Sequence, residues 1–276
     1  MSFTSEIFPG EKEIEQNLHP HEKQISKSVL MLAGAFVFAF LLAEMVHEFG
    51  HYFAHLAYRT PGIGIHLDPF GGTHITGVNL ITNEAMLITT LSGPLSSLFL
   101  GIGTTLLLWR YRVPILLPLL LWGPVAMVQE GVNLSLGLLS PGSDAAWISA
   151  LLLPEGLVLG IGILLLIGGI VAMPFFLYLA GIQPDQPFWQ QLVILWVSMG
   201  ALMLIRLVVS AVVVPGSITE NFIPLVFTFL LSVIVAALHI SIIRRVKGGK
   251  SSSRVQIPNP AVITAWVLGG GLFFFQ

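Results

Sequence analysis

Residues 28–43, Ser28-Val29-Leu30-Met31-Leu32-Ala33-Gly34-Ala35-Phe36-Val37-Phe38-Ala39-Phe40-Leu41-Leu42-Ala43, carry no charge and run straight into Glu44-Met45-Val46-His47-Glu48-Phe49-Gly50-His51. About 20 mostly apolar residues suffice for a helix to cross a bilayer, so this stretch reads as a membrane-spanning helix with ionisable residues near its end. His-Glu-x-x-His on a helix puts two imidazoles one turn apart on one face. Two neutral ring nitrogens can then share one Zn²⁺ at roughly 2.0–2.1 Å, with the glutamate beside the metal as general base. Ionisable side chains inside a span are costly and mark functional sites by default. His47 and His51 are therefore expected as zinc ligands and Glu48 as the catalytic residue of a hydrolase buried in the membrane. A histidine pair merely hydrogen-bonded inside a helical bundle is the alternative.

The rest of the composition agrees with a membrane setting. Of 276 residues, 55% are hydrophobic and only 9% charged, against about 25% charged in soluble domains. Mean hydropathy is +0.88. The net charge of -2 comes without a basic stripe suited to nucleic acid. Cysteine is absent, so disulfides and thiolate ligands are excluded, and any metal falls to His, Asp or Glu. Residues 1–27 mix Glu6, Glu11, Glu13, Glu15 and Glu22 with Lys12, Lys23 and Lys27. That preface is too long and too acidic for a cleavable signal peptide, so the first apolar segment is expected to stay.

The expected fold is an all-α polytopic bundle of six spans, near 28–57, 85–109, 113–139, 156–181, 188–214 and 221–243. The short apolar stretch 261–276 makes a seventh possible. Arg110-Tyr111-Arg112 leaves room only for a tight turn between the second and third spans. No internal repeat of the transporter kind is visible. Arg244, Arg245, Lys247, Lys250 and Arg254 follow the sixth span. In a six-span arrangement they share a side with Arg110, Arg112, Lys23 and Lys27. The positive-inside rule makes that side, with the amino terminus, cytoplasmic in a multi-pass protein of the cell membrane. Between the first two spans, Ile63, Ile65 and Leu67 alternate with Gly64, His66 and Asp68. Pro69-Phe70-Gly71-Gly72 follows, and alternation resumes through His74, Ile75, Thr76 and Val78. This predicts a membrane-associated β-hairpin over 63–78, whose open edge could receive an extended peptide.

A catalytic zinc needs a third protein ligand and an open position. His55 is on the same helix, but a continuing helix places it about 12 Å along the axis from His47. It is expected as an interfacial or supporting residue. Asp144 follows the irregular stretch Ser140-Pro141-Gly142-Ser143 at the end of the third span. Backbone breaks of that kind are tolerated in a membrane only where they line a protein cavity. Asp144 reads either as the third ligand or as the N-cap of a short helix over 145–153.

Three segments together resemble the site-2-protease family of intramembrane zinc metalloproteases. They are His47-Glu48-Phe49-Gly50-His51 on the first core helix, Ser92-Gly93-Pro94-Leu95-Ser96-Ser97 on the second, and Asn133, Pro141 and Asp144 closing the third. Phe70-Gly71-Gly72 is similar to that family's membrane-associated hairpin. The resemblance covers roughly residues 30–150. It implies one Zn²⁺ per chain held by His47, His51 and Asp144, with Glu48 as acid and base. It divides the chain into a polar segment 1–27, a metalloprotease core 28–153, additional helices 154–246, and a loop with an apolar end 247–276. Ala145 stands where the family usually has Gly after the ligand Asp, and Ser97 stands where its Gly-Pro motif usually ends in Asn.

The expected activity is hydrolysis of a peptide bond in or near a transmembrane segment of another membrane protein. Asn133 or Ser97 would stabilise the oxyanion, and Gln129 and Glu130 would line a water path or bond between helices. Arg206 is expected to pair with Glu130, Glu155 or Glu220, and His239 to hydrogen-bond within the bundle. The rival readings are a transporter or channel with a His/Asp metal or proton relay, and a non-catalytic scaffold of the same family.

Overall fold

The structure, a computed structural model, describes residues 9–66, 74–77, 82–213, 218–246 and 257–275. In chain order its elements are α1 (Pro9–Ala57), β1 (Gly64–His66), β2 (His74–Thr76), α2 (Asn83–Leu108), α3 (Leu117–Leu136) and α4 (Asp144–Leu151). There follow α5 (Glu155–Ala172), α6 (Pro174–Leu177), α7 (Phe188–Met199), α8 (Ala201–Val213), α9 (Ile218–Val246) and α10 (Asn259–Phe275). The all-α bundle with one small sheet is as expected.

Four helices among the described residues are long and apolar enough to cross a membrane: Gln24–Ala57, Asn83–Leu108, Pro114–Leu139 and Glu155–Ala180. A fifth crossing exists if Phe188–Met199 and Ala201–Val208, bent by 50° at Gly200, count together. Among the described residues four or five of the six or seven spans read from the sequence are met. The fifth apolar stretch is a broken helix. α9 runs for 29 residues, and its part within the described side chains, Val226–Ile242, is apolar. The 17 residues of α10 reach about 26 Å, short of a hydrocarbon core of about 30 Å.

α1 is the central helix and packs against α2, α3, α7 and α10. Small side chains allow this. Ala35, Ala39 and Ala43 are fully buried among Met31, Leu32, Leu117, Leu120 and Leu121. A Cβ on Gly34 would stand 3.0 Å from the Ala265 backbone of α10. Without a hydrophobic difference between lipid and helix, close backbone approach of this kind supplies much of the packing energy. α3 meets α5 in the same way. At Gly131 a methyl would lie 2.5 Å from the Leu166 nitrogen and 2.8 Å from the Gly162 carbonyl. α2 and α3 are also bonded: Thr105 Oγ1 accepts from Gly123 N–H at 3.0 Å and donates to the Leu120 carbonyl at 3.2 Å.

The hairpin forms as an antiparallel pair with Gly64 opposite Thr76, Ile65 opposite Ile75 and His66 opposite His74. Its expected turn at 69–72, including Phe70-Gly71-Gly72, lies outside the described residues. Gly77, at φ 78°, closes the other end, where any Cβ would run into the Gly62 carbonyl. Arg206 of α8 pairs with Glu44 of α1 at 2.9 Å; of the partners expected from sequence, the Glu220 side chain lies outside the described residues. Its guanidinium also lies 5.8 Å from the Phe40 ring centroid. After the bend at Gly200, α8 lies against α1. His239 bonds within the bundle as expected, with Nδ1 2.9 Å from Gln191 Oε1.

Candidate metal centre

The site forms where α1 crosses α2. Gly50, inside the His-Glu-x-x-His turn, lies directly on the Ser92 carbonyl, and a methyl there would overlap it. One turn of α2 therefore sits flush against the two histidines. Gly93 has the same role for His51: any Cβ at 93 would overlap the imidazole. Pro94 removes one N–H from this turn and opens the helical ladder at the Thr90 carbonyl. Beside it, the Thr89 carbonyl receives both His51 Nδ1–H at 2.7 Å and the Ser92 hydroxyl at 2.6 Å.

That contact fixes a tautomer. A carbonyl only accepts, so the proton of the neutral His51 ring is on Nδ1 and the Nε2 lone pair is free. His47 is held likewise, with Nδ1 donating to the Glu130 carboxylate at 2.8 Å. The two Nε2 atoms face each other at 3.0 Å. Asp144 Oδ2 completes the triangle at 3.1 Å from His47 Nε2 and 3.3 Å from His51 Nε2. An ionised Asp144 turns a carboxylate oxygen, an acceptor only, toward both rings.

Three electron-pair donors thus converge. A single proton can satisfy one of these contacts, whereas a cation satisfies all three. Ligands held at about 2.0–2.1 Å around a tetrahedral ion stand roughly 3.3 Å from one another, close to the observed triangle. The ligating atoms of His47, His51 and Asp144 all lie within 4.8 Å of one another, and this cluster could hold a metal ion. The surrounding bonds are those a metal site needs, because each imidazole is oriented through its other nitrogen.

Asp144 reaches the site because the chain breaks after α3. Gly142 takes the left-handed region at φ 87°. Ser143 then caps α4, accepting from Ala146 N–H at 3.2 Å and donating to the Gly137 carbonyl at 2.6 Å. The N-cap is Ser143, so the alternative of Asp144 as cap does not hold. Ala145 is fully buried, and its methyl packs where a Cβ on Gly137 would come within 3.1 Å. The glycine needed for the turn stands at 142, which lets alanine follow the aspartate.

The cluster opens on a cavity of about 670 Å³ lined by Glu48, Asn133, His55 and His74 as well as the three donors. Asn133 Nδ2 is 3.5 Å from Glu130 Oε2. Ser97 is not part of that lining. It is fully buried in α2, one helical turn beyond Gly93, and its hydroxyl has no hydrogen-bond partner. His55 is outside the donor cluster. It belongs to the end of α1, where Thr60 N–H bonds the His55 carbonyl at 3.0 Å around left-handed Arg59. Its Nδ1 is 3.2 Å from Thr60 Oγ1.

Glu130 is the residue whose role the sequence leaves open. It is fully buried and bonds His47 instead of lining a water path. The signal was its spacing: Glu130 and Asn133, three apart on one helix, must share a face. Comparison with models of known protein families, with curated proteins and with solved structures finds no match for this chain.

Proposed function

We propose that this chain is a zinc endopeptidase of the site-2-protease type, hydrolysing peptide bonds in or near transmembrane segments of other membrane proteins. The observation that carries the reading is the convergence of His47 Nε2, His51 Nε2 and Asp144 Oδ2 on one point, beside Glu48 on the same cavity wall. Two histidines and a carboxylate are a catalytic-type zinc set, which leaves a coordination position open. Zinc bound there supplies Lewis acidity, acidifying a water and polarising a carbonyl.

The chain's own residues do the rest. Glu48 takes the proton of the attacking water and passes it to the leaving amine. Asn133 turns one amide N–H toward Glu130, and its second N–H serves developing oxyanion charge. Glu130 keeps the His47 ring in its ligating orientation. A substrate helix hides its scissile carbonyl in hydrogen bonds, so it unwinds locally. The unwound segment pairs with the hairpin edge, whose residues His74 and Ile75 line the cavity.

The test is reconstitution of the full chain, and of Glu48→Gln, with a panel of single-span membrane proteins. New termini are read by mass spectrometry. New termini within or beside the spans, absent with Glu48→Gln while its zinc is retained, support the proposal. Equal cleavage by both removes Glu48 as the base. Metal flux into vesicles without cleavage moves the reading to a relay.

A further inference from the structure

We propose that His66 and His74 form a second metal site, at the mouth of the cavity, for a divalent transition-metal ion that favours imidazole, such as Zn²⁺ or Cu²⁺. The pair belongs to neither the ligand triangle nor the bonds that support it, and the inference does not depend on the protease reading.

The two histidines are direct cross-strand neighbours in the hairpin. Their ring centroids lie 5.0 Å apart with the planes at 50°. The ligand pair of the buried site, His47 and His51, has centroids 4.7 Å apart at 79°. With metal–nitrogen distances of about 2.0–2.1 Å and a tetrahedral angle at the metal, two imidazole centroids stand roughly 5 Å apart. The hairpin pair is therefore spaced for one ion between the rings.

Both side chains are exposed, so an ion reaches them from water. His74 also lines the cavity, which puts the ion at its mouth. Two protein ligands leave the remaining positions to water, and such a site exchanges faster than the buried three-donor cluster. Imidazole is a fitting donor for Zn²⁺ and Cu²⁺, and this chain has no cysteine to compete. Two strands of three residues each are marginal as an isolated pair. A bridging ion ties them together beside the cavity that His74 lines.

The experiment uses full-length protein in detergent, titrated with Cu²⁺ while zinc is counted in the same samples. Electron paramagnetic resonance reads nitrogen coordination. The expected result is one Cu²⁺ per chain with imidazole nitrogens, taken up without release of zinc. That signal is lost in both His66→Ala and His74→Ala and kept in His51→Ala. Absence of a nitrogen-coordinated Cu²⁺ in the wild type, or its survival in both hairpin variants, overturns the proposal. The buried site reads out separately: its failure appears as missing zinc, or as a Cu²⁺ signal that His51→Ala removes.

Discussion

The carboxylate of Glu130, fully buried in α3, accepts the Nδ1–H of His47 at 2.8 Å, across a sequence separation of 83 residues. The bond ties the first histidine of the His-Glu-x-x-His turn in α1 to the helix that precedes the break leading to Asp144. It leaves His47 Nε2 facing His51 and Asp144, where the three groups could hold a metal ion.

Removing that bond should loosen the metal. Glu130→Ala is expected to weaken zinc affinity by about 10- to 100-fold, as loss of a partner behind a metal-bound histidine does. Glu130→Gln, which keeps an acceptor oxygen, should lose less. Competition with a chelator measures both. Unchanged affinity in Glu130→Ala would show that His47 needs no support from α3.

Gly93 bears on the second histidine. Gly93→Ala sets a methyl into the His51 ring. It is expected to reduce bound zinc and to destabilise the protein by roughly 1–3 kcal/mol, the range for overpacking. Ala substitution at Gly103, where a Cβ meets nothing within 4 Å, is the control that should leave zinc untouched. Zinc analysis and thermal unfolding of the two variants separate the effects.

His55 should behave as a helix-end residue. His55→Ala is expected to keep its full zinc content, because the His55 ring bonds Thr60 and stands outside the donor triangle. The loss should be about 1 kcal/mol of stability, the ordinary value of one hydrogen bond. Loss of zinc in this variant would return His55 to the ligand set.

How far these features can be read from sequence depends on what sets them. His47, Glu48 and His51 are readable because helix geometry alone places residues four apart on one face. Asp144 is half readable: Pro141 and Gly142 announce a chain break, but the direction of the carboxylate depends on the Ser143 cap and its bond to Gly137. Glu130 is readable as a costly residue in a span, whereas its partner depends on how α3 rotates against α1. An all-round apolar helix leaves that rotation open. The same ambiguity hides the partner of Arg206. The apolar run through 188–214 shows no Pro to announce the 50° bend at Gly200, beyond which Arg206 meets Glu44.

That ion pair is itself testable. Arg206→Met removes the ion pair with Glu44 from a site where the two side chains are only 10% and 13% exposed. Breaking such a pair on one side is expected to destabilise by about 3–5 kcal/mol, and replacing both partners to restore most of the loss. Unfolding of Arg206→Met, Glu44→Leu and the double variant measures the coupling. Additive losses would mean that the two residues act independently.

Metal content per chain bears most directly on the site. It is measured on purified, folded protein in detergent for the wild type, Glu48→Gln and Asp144→Ala. If His47, His51 and Asp144 are the ligands and Glu48 is not, the first two hold close to one zinc per chain and Asp144→Ala holds far less. Wild type without zinc, or Asp144→Ala with as much zinc as the wild type, would contradict the three-donor centre.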